Sequence, residues 1–313
     1  MLVSENIDYY AGIFCFNPLD DPYHLERIDT CIKSIIRSAK HAKLRIKIVV
    51  GLNMSIVDGN KKIVGVGEKT REEIKEICNL NEIEIIEYNG INANSRGYSM
   101  LLEDGKNNTD SRKVVVFADD YIVPFFWFDI MEKNFEFNKD ISFITPITSF
   151  VAQENLRVMI ENHPSWDIRV AEKGDHKRWD YQTIYGGVEI SHIDNIAKKF
   201  VYNGTTPWTE PPSFETTVFK RELLLEVGEI HPEYHSCFYD SDYFKMIAKK
   251  SFKGLIAKNC FTFHYGKGGT KSFYKETADE KYINSPVEGQ LNKDIEIWNR
   301  RWNQNVKPWW GEK

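Results

Sequence analysis

Two adjacent carboxylates, Asp119 and Asp120, follow the apolar run Lys113-Val-Val-Val-Phe117-Ala118. Such a run reads as a buried strand, and carboxylate oxygens are what hard divalent cations prefer. Mg²⁺ is commonly held by one or two carboxylates together with the phosphates of a substrate, so the pair points to metal-assisted phosphate chemistry. The plainer alternative is a turn in which Asp bonds its own backbone. A second group, Phe238-Tyr239-Asp240-Ser241-Asp242, opens a helical pattern that runs to Lys250. Asp240 or Ser241 would serve there as an N-cap, with Asp242 in the first turn. A carboxylate fixed at a helix start near a metal site would equally serve as general base toward a substrate hydroxyl. His264, within Phe261-Thr-Phe-His-Tyr-Gly266, is either a satisfied structural histidine or a ligand.

The elements that must position these groups begin with the apolar run Ala11 to Phe16, read as a strand. From His24 to Ala39, Leu25, Ile28, Cys31, Ile32, Ile35 and Ile36 recur at three and four positions, the mark of one helix face. Leu44 to Leu52 predicts a second strand, Thr70 to Leu80 a helix opened by a Thr70/Glu73 capping box, and Ile83 to Tyr88 a third strand. After a polar loop, Asn89 to Gly97, and a short helix through Leu102 comes the fourth strand, Lys113 to Phe117. Alternation of this kind predicts a parallel sheet covered on both faces, with ligands at the carboxyl ends of its strands. Beyond about residue 140, Pro146, Pro164, Gly186-Gly187, Pro207 and Pro211-Pro212 predict loops, followed by helices over Thr217–Val227, ended by Gly228, and Ser241–Lys250.

The remaining composition mainly excludes. Among 313 residues, 41 basic side chains against 46 acidic leave a net charge of −5, which supplies no global attraction to nucleic acid or an anionic membrane. No apolar run approaches the roughly 18 to 20 residues of a membrane span, and acidic residues near Met1 argue against a secretory signal, so a cytoplasmic location is expected, with peripheral membrane contact as a variant. Five scattered cysteines predict buried thiols rather than disulfides or a zinc cluster. Neither G-x-x-x-x-G-K-[ST] nor G-x-G-x-x-G follows the first strand, and Val64-Gly-Val-Gly67 imitates a phosphate turn only weakly, which argues against kinases, NTPases and nicotinamide dehydrogenases. The tail, Trp298-Asn-Arg-Arg-Trp302 and then Pro308-Trp-Trp310, reads as an aromatic helix face docked onto the domain, with sugar stacking or a membrane interface as alternatives.

Taken in order, these pieces resemble inverting family-2 glycosyltransferases of the GT-A fold. Ala118-Asp119-Asp120 with Pro124 is similar to the family's D-x-D motif without its first aspartate. Val218 to Gly228 looks like the helix after the acceptor loop, Tyr239-Asp240-Ser241-Asp242 resembles E-D-x-D with tyrosine replacing glutamate, and His264-Tyr265-Gly266 resembles the closing H-x-G. Asn94-Ser-Arg-Gly97 looks like the N-x-G-x-S/A loop, and Cys15-Phe-Asn17-Pro18 like P-x-Y-N. Val50-Gly-Leu-Asn53 stands where the pattern carries an aspartate.

The resemblance implies an α/β, Rossmann-type GT-A domain over residues 1–270, with a central mostly parallel sheet. Residues 1–125 would form a nucleotide-sugar half, 126–270 an acceptor half, and 271–313 a helical, aromatic-rich extension. It implies Asp240 as catalytic base, Asp120 and His264 as ligands of Mn²⁺ or Mg²⁺, and Asn17, Asn94, Arg96, Gly97 and Asp119 on the donor. Trp208, Glu215 and Asp242 would face the acceptor, beside flat rings such as Trp166, Trp179 and Tyr181. The implied reaction moves a sugar, with inversion, from a nucleotide-diphosphate donor to a hydroxyl of a glycan or glycolipid. The basic segment Lys173 to Trp179 keeps a hydroxylated nucleic-acid base as a second acceptor class. The rival readings are a nucleotidyltransferase and an inactive nucleotide-sugar-binding relative.

Overall fold

The computed structural model describes residues 7–15, 24–54, 68–88, 93–149, 190–208, 216–234, 238–264 and 286–307, with short pieces at 56–57, 62–63, 66 and 214. In chain order the elements are β1 (Tyr9–Cys15), α1 (His24–His41), β2 (Ile46–Asn53), β3 (Ile56–Val57), β4 (Lys62–Ile63), α2 (Glu68–Leu80), β5 (Glu84–Tyr88), α3 (Ala93–Asn107), β6 (Lys113–Ala118), β7 (Tyr121–Ile122), α4 (Trp127–Phe137) and β8 (Phe143–Thr148). There follow α5 (Ile190–Ala197), β9 (Thr205–Pro207), β10 (Val218–Lys220), α6 (Arg221–Val227), α7 (Tyr239–Lys249), β11 (Gly254–His264) and α8 (Pro286–Trp302).

The strands form a nine-stranded sheet in the order β5-β2-β1-β6-β10-β8-β11-β7, with β9 on β11. β1, β2, β5 and β6 pair in parallel. β10 is antiparallel to both β6 and β8, so β8 and its parallel neighbour β11 run the same way as β6. The carboxyl ends of six strands therefore share one edge, carrying Cys15, Asn53, Tyr88, Ala118, Thr148 and His264. β1 is buried along its whole length, as a central parallel strand covered on both faces must be. On one face Ile28, Ile32 and Ile35 of α1 cluster with Ile13, Val50 and Val115. On the other, Tyr98 and Leu101 of α3 join Phe14, Val116 and Phe219 with Tyr243 and Phe244 of α7. Among the described residues no helix is long and apolar enough to cross a membrane.

The β-α-β-α-β-α-β order matches the periodicity, and four local expectations are corrected. α2 starts at Glu68, so Thr70 lies inside the helix and is not its cap. The segment read as a loop to Gly97 and a short helix is instead α3, fifteen residues from Ala93. Thr217–Val227 is not one helix: Val218–Lys220 inserts as β10 between β6 and β8, and helix begins only at Arg221. Pro146, read as a loop marker, lies within β8 opposite Ala257, where β11 shifts register before Phe261. An irregular ladder tolerates a residue that lacks an N–H.

Gly254 opens β11 under the ring of Phe143, where an added Cβ would lie 2.1 to 2.5 Å from three ring carbons. Phe143 is fully buried among Phe219, Phe244 and Trp208 and has no room to retreat. Gly254→Ala is expected to lower stability by about 1–3 kcal/mol, the scale of core overpacking. Urea unfolding monitored by tryptophan fluorescence checks this, and Phe143→Leu in the same chain should recover part of the loss.

Candidate active site

Asp119 and Asp120 stand just past the end of β6, only 5% and 2% exposed. The Asp119 amide donates to the carbonyl of Phe14 at 3.1 Å, tying the carboxylate pair to the end of β1. Two buried neighbouring acids need separate counter-groups, and they have them. Asp119 Oδ2 is 2.5 Å from Nε2 of His24, a wholly buried histidine at the start of α1. Asp120 Oδ1 is 3.3 Å from Nε2 of His264 at the end of β11. The His264 imidazole stacks on Tyr121, its partner across the β7–β11 ladder, at 4.1 Å and 14°. Its backbone is fixed by Ser149, whose hydroxyl donates to the His264 carbonyl at 2.9 Å and accepts from its amide at 2.8 Å.

Burial drives the Asp120 carboxyl toward neutrality. The charge and hydrogen bonding of His264, with the charge of Arg27 on α1, outweigh that and hold the group below the ordinary carboxylate value. Asp120 Oδ2 is buried without a hydrogen-bond partner among the described residues. An oxygen left in that state is costly unless something else occupies its lone pairs. Among the described residues no group of three or more His, Cys, Asp and Glu side chains forms a complete metal cage. Asp120 and His264 form one converging carboxylate–imidazole pair, and Asp119 and His24 form another.

Asp240 sits in the first turn of α7, half-buried, with Oδ1 accepting the Ser241 amide at 2.7 Å. It is not the N-cap; that place belongs to Phe238, held left-handed at φ 61. Topology sets the end of the molecule at which Asp240 lies. α7 is followed after four residues by β11, which runs parallel to β8 and β6, so the start of α7 points to the edge that carries Asp120 and His264. Ring contacts agree: Phe14 lies 5.6 Å from Tyr98, and Tyr98 lies 6.0 Å from Tyr239. Phe214 stacks on Tyr239 at 5.8 Å and 8°. The neighbouring Thr216 is fully buried at φ 65, and its amide donates to the Val116 carbonyl at 3.1 Å. Left-handed backbone in a β-branched residue is strained and persists only where its surroundings impose it.

The other expected site residues divide. Arg96 is exposed on α3, and of Asn94 the structure describes only the backbone. Gly97 faces inward, where a Cβ would meet the Phe14 ring at 2.1 Å and the Tyr88 hydroxyl at 2.7 Å, so close packing accounts for this glycine. Asn53, in the stretch that lacks the pattern's aspartate, is buried and hydrogen-bonded to Tyr88. Asp242, expected on the acceptor, is fully buried. It accepts from Arg301 Nε and Nη2 at 2.8 and 3.0 Å, from Trp302 Nε1 at 2.7 Å and from the Tyr234 hydroxyl at 3.1 Å. It is an anchor for α8, and the tail helix docks as its pattern suggested. Trp208 lies at the Gly254 end of the eleven-residue β11, opposite to His264, with its ring against Phe143 and Phe244. Half-buried, it packs against the core at that end of the strand. Asn17, Glu215, Trp166, Trp179, Tyr181, the Lys173 to Trp179 segment, Cys237 and Pro308 to Trp310 lie outside the described residues. Cys15, Cys31, Cys78 and Cys260 are buried free thiols, and burial pushes Cys78 up to about 11.

His24 and Arg27 had no signal in the sequence. A histidine at a helix start is unremarkable until the fold brings it to an aspartate 95 positions away.

No protein-family model matches the sequence, and no curated protein matches it. Solved structures do match. GalNAc-T7, crystallised with UDP, GalNAc and Mn²⁺, aligns at TM-score 0.53 and 13% identity over 95% of this chain and 50% of its own. S. aureus TarS 1-349 aligns at 0.47 and 10% identity, over 95% of this chain and 72% of its own. The same TarS piece in complex with UDP aligns at 0.47 and 9%, over 96% and 73%. The chain thus has the fold of the GT-A-type glycosyltransferases and spans about half the length of GalNAc-T7.

In the metal-free protein, His264→Ala is expected to raise the pKa of Asp120, because burial is then opposed only by the charge of Arg27 and a backbone hydrogen bond. With its folded pKa below the unfolded value, ionised Asp120 contributes stability at neutral pH that is lost as pH falls through the folded pKa. The variant should lose that contribution at higher pH, so its acid-unfolding midpoint moves upward. Carboxyl carbon NMR titration reads the pKa directly; an unmoved Asp120 resonance would separate it from His264.

Proposed function

We propose that this chain is a metal-dependent, inverting glycosyltransferase that moves a sugar from a nucleotide-diphosphate donor to a hydroxyl of a glycan or glycolipid. The observation that carries the reading is the convergence of Asp120 and His264 at the carboxyl edge of a GT-A-type sheet, with one Asp120 oxygen buried and unsatisfied among the described residues. A carboxylate with an imidazole suits Mn²⁺ better than Mg²⁺, which prefers all-oxygen surroundings. Asp120 and His264 would be the protein's ligands to such a cation, and phosphate oxygens of the donor would be suited to join them. That GalNAc-T7 was crystallised with UDP and Mn²⁺ supports the same assignment. When bound, the cation supplies positive charge where negative charge gathers on the departing diphosphate.

The chain's own groups account for the rest. Asp120 and His264 would hold the cation at the sheet edge, where Arg27 adds positive charge that favours a diphosphate. Asp119, oriented by His24, contributes to donor binding alongside the start of α3, where Asn94 and Arg96 lie. Asp240 takes the proton of the acceptor hydroxyl as that oxygen bonds to the anomeric carbon, while the bond from that carbon to the diphosphate oxygen breaks on the opposite face. Attack opposite the leaving group inverts the centre. Acceptor contacts are assigned to residues 150–215, Glu215 among them, because the chain re-enters the sheet at Thr216 beside the end of β6.

Asp240→Asn should keep Mn²⁺-dependent binding of a nucleoside diphosphate but lower turnover by roughly 10²-fold or more, the scale of general-base catalysis. Asp120→Asn should abolish the metal dependence of that binding. Calorimetry with UDP and GDP, with and without Mn²⁺, and diphosphate release from a panel of nucleotide sugars provide the two readouts. Undiminished turnover in Asp240→Asn would take that residue out of the base role.

A further inference from the structure

We infer that the C-terminal helix α8 is a positioning element for Asp240, with Arg301 and Trp298 as positioning residues. The inference rests on the reading of Asp240 as the base.

Asp240 lies midway between two residues that α8 holds. On its N-terminal side Phe238 caps α7 in the left-handed conformation, with its ring 5.2 Å from that of Trp298. Phenylalanine gains nothing intrinsic from positive φ, so the conformation depends on packing that leaves it no alternative. On the C-terminal side Asp242 is fully buried, and Arg301 engages both its oxygens while Trp302 donates to one of them. The Asp242 amide donates to the Phe238 carbonyl at 2.7 Å, closing a single turn around Asp240. With both ends of that turn fixed from α8, the backbone beneath the Asp240 side chain is fixed as well.

The contact continues along both helices. Lys245 lies over the rings of Trp298 and Trp302 at 4.5 and 4.7 Å, and Lys249 lies over Trp302 at 4.4 Å. Arg300 pairs with Glu233 at 2.5 Å, in the segment that leads into α7. The whole first turn of α7 is thereby braced by one helix that lies beyond residue 285 in sequence. A bidentate arginine fixes orientation as well as supplying charge, which a lysine at the same place would not reproduce. Misplacing a reacting group by about 1 Å can cost on the order of 10²-fold in rate, so a small tilt of this turn is enough to matter.

The test uses the full chain and four variants, Arg301→Gln, Arg301→Lys, Trp302→Phe and Asp242→Asn, with the double variant D242N/R301Q. Diphosphate release from a panel of UDP- and GDP-hexoses with Mn²⁺ is measured with water as acceptor, in parallel with Asp240→Asn. Hydrogen exchange is followed at residues 238–242. Arg301→Gln should lower kcat by roughly 10-fold to 100-fold with the donor KM within about twofold, and it should speed exchange in that turn selectively. Arg301→Lys should fall between it and the parent, and the double variant should be no slower than the slower single one, because the two residues act as a unit. Trp302→Phe removes one hydrogen bond while keeping the ring, and a smaller loss of the same kind is expected should Arg301→Gln fold poorly. An Arg301→Gln protein that loses thermal stability but keeps kcat and slow exchange in residues 238–242 overturns the positioning role. So do losses that multiply in the double variant. Turnover retained in Asp240→Asn would instead overturn the base reading itself.

Discussion

Burying two consecutive carboxylates at one strand end is the constraint around which this molecule is arranged. Asp119 and Asp120 repel each other, and neither is wet enough for water to offset the charge. Each therefore has its own partner, and the partners come from opposite ends of the sequence. His24 requires α1 to start beside the end of β6, which the β1–α1–β2 crossover accomplishes. His264 requires a parallel strand far later in the chain to finish at the same edge, which is what β8 and β11 achieve by running with β6. The single antiparallel strand β10 between β6 and β8 follows from the same demand. It leads the chain from the edge where Thr216 meets Val116 back to the far edge; α7 later starts on the site side and runs away from it, and β11 returns from the far edge to the site.

What was legible in the sequence followed the range of the signal. The first four major strands and α1 show periodicities that neighbouring residues alone create, and these matched, whereas α2 begins earlier and α3 is longer than expected. β10 did not show itself because three residues carry no period, and Leu223, Leu224 and Val227 just beyond it imposed a helical one. Pro146 was misleading because its cost depends on the strand opposite, whose irregularity is not written near the proline. At the site, Asp119, Asp120, Asp240 and His264 stood out by type and by their positions at element ends. Their supports, His24, Arg27 and Arg301, did not, since a supporting residue is defined by what it touches across tens of positions. Trp208 and Asp242 show the converse, in that residue type suited to binding does not reveal ring packing or a buried ion pair.

The two aspartates of α7 illustrate how a fold divides labour between identical side chains. Both lie in the first turn, where the helix dipole favours negative charge. Asp242 is fully enclosed and carries four donated hydrogen bonds, two of them from one guanidinium. A buried ion pair of this sort adds little net stability compared with an apolar contact, because desolvation offsets the attraction. Its retention is better explained by orientation than by energy: an apolar pair would pack as well but would leave the turn free to rotate. Asp240, two positions earlier and half-buried, keeps a side chain that solvent or a substrate can approach. With the charge of Asp242 already met by Arg301, a second carboxylate can sit in the same turn without paying for mutual repulsion. The clamp on one aspartate is therefore also the condition that lets the other remain accessible.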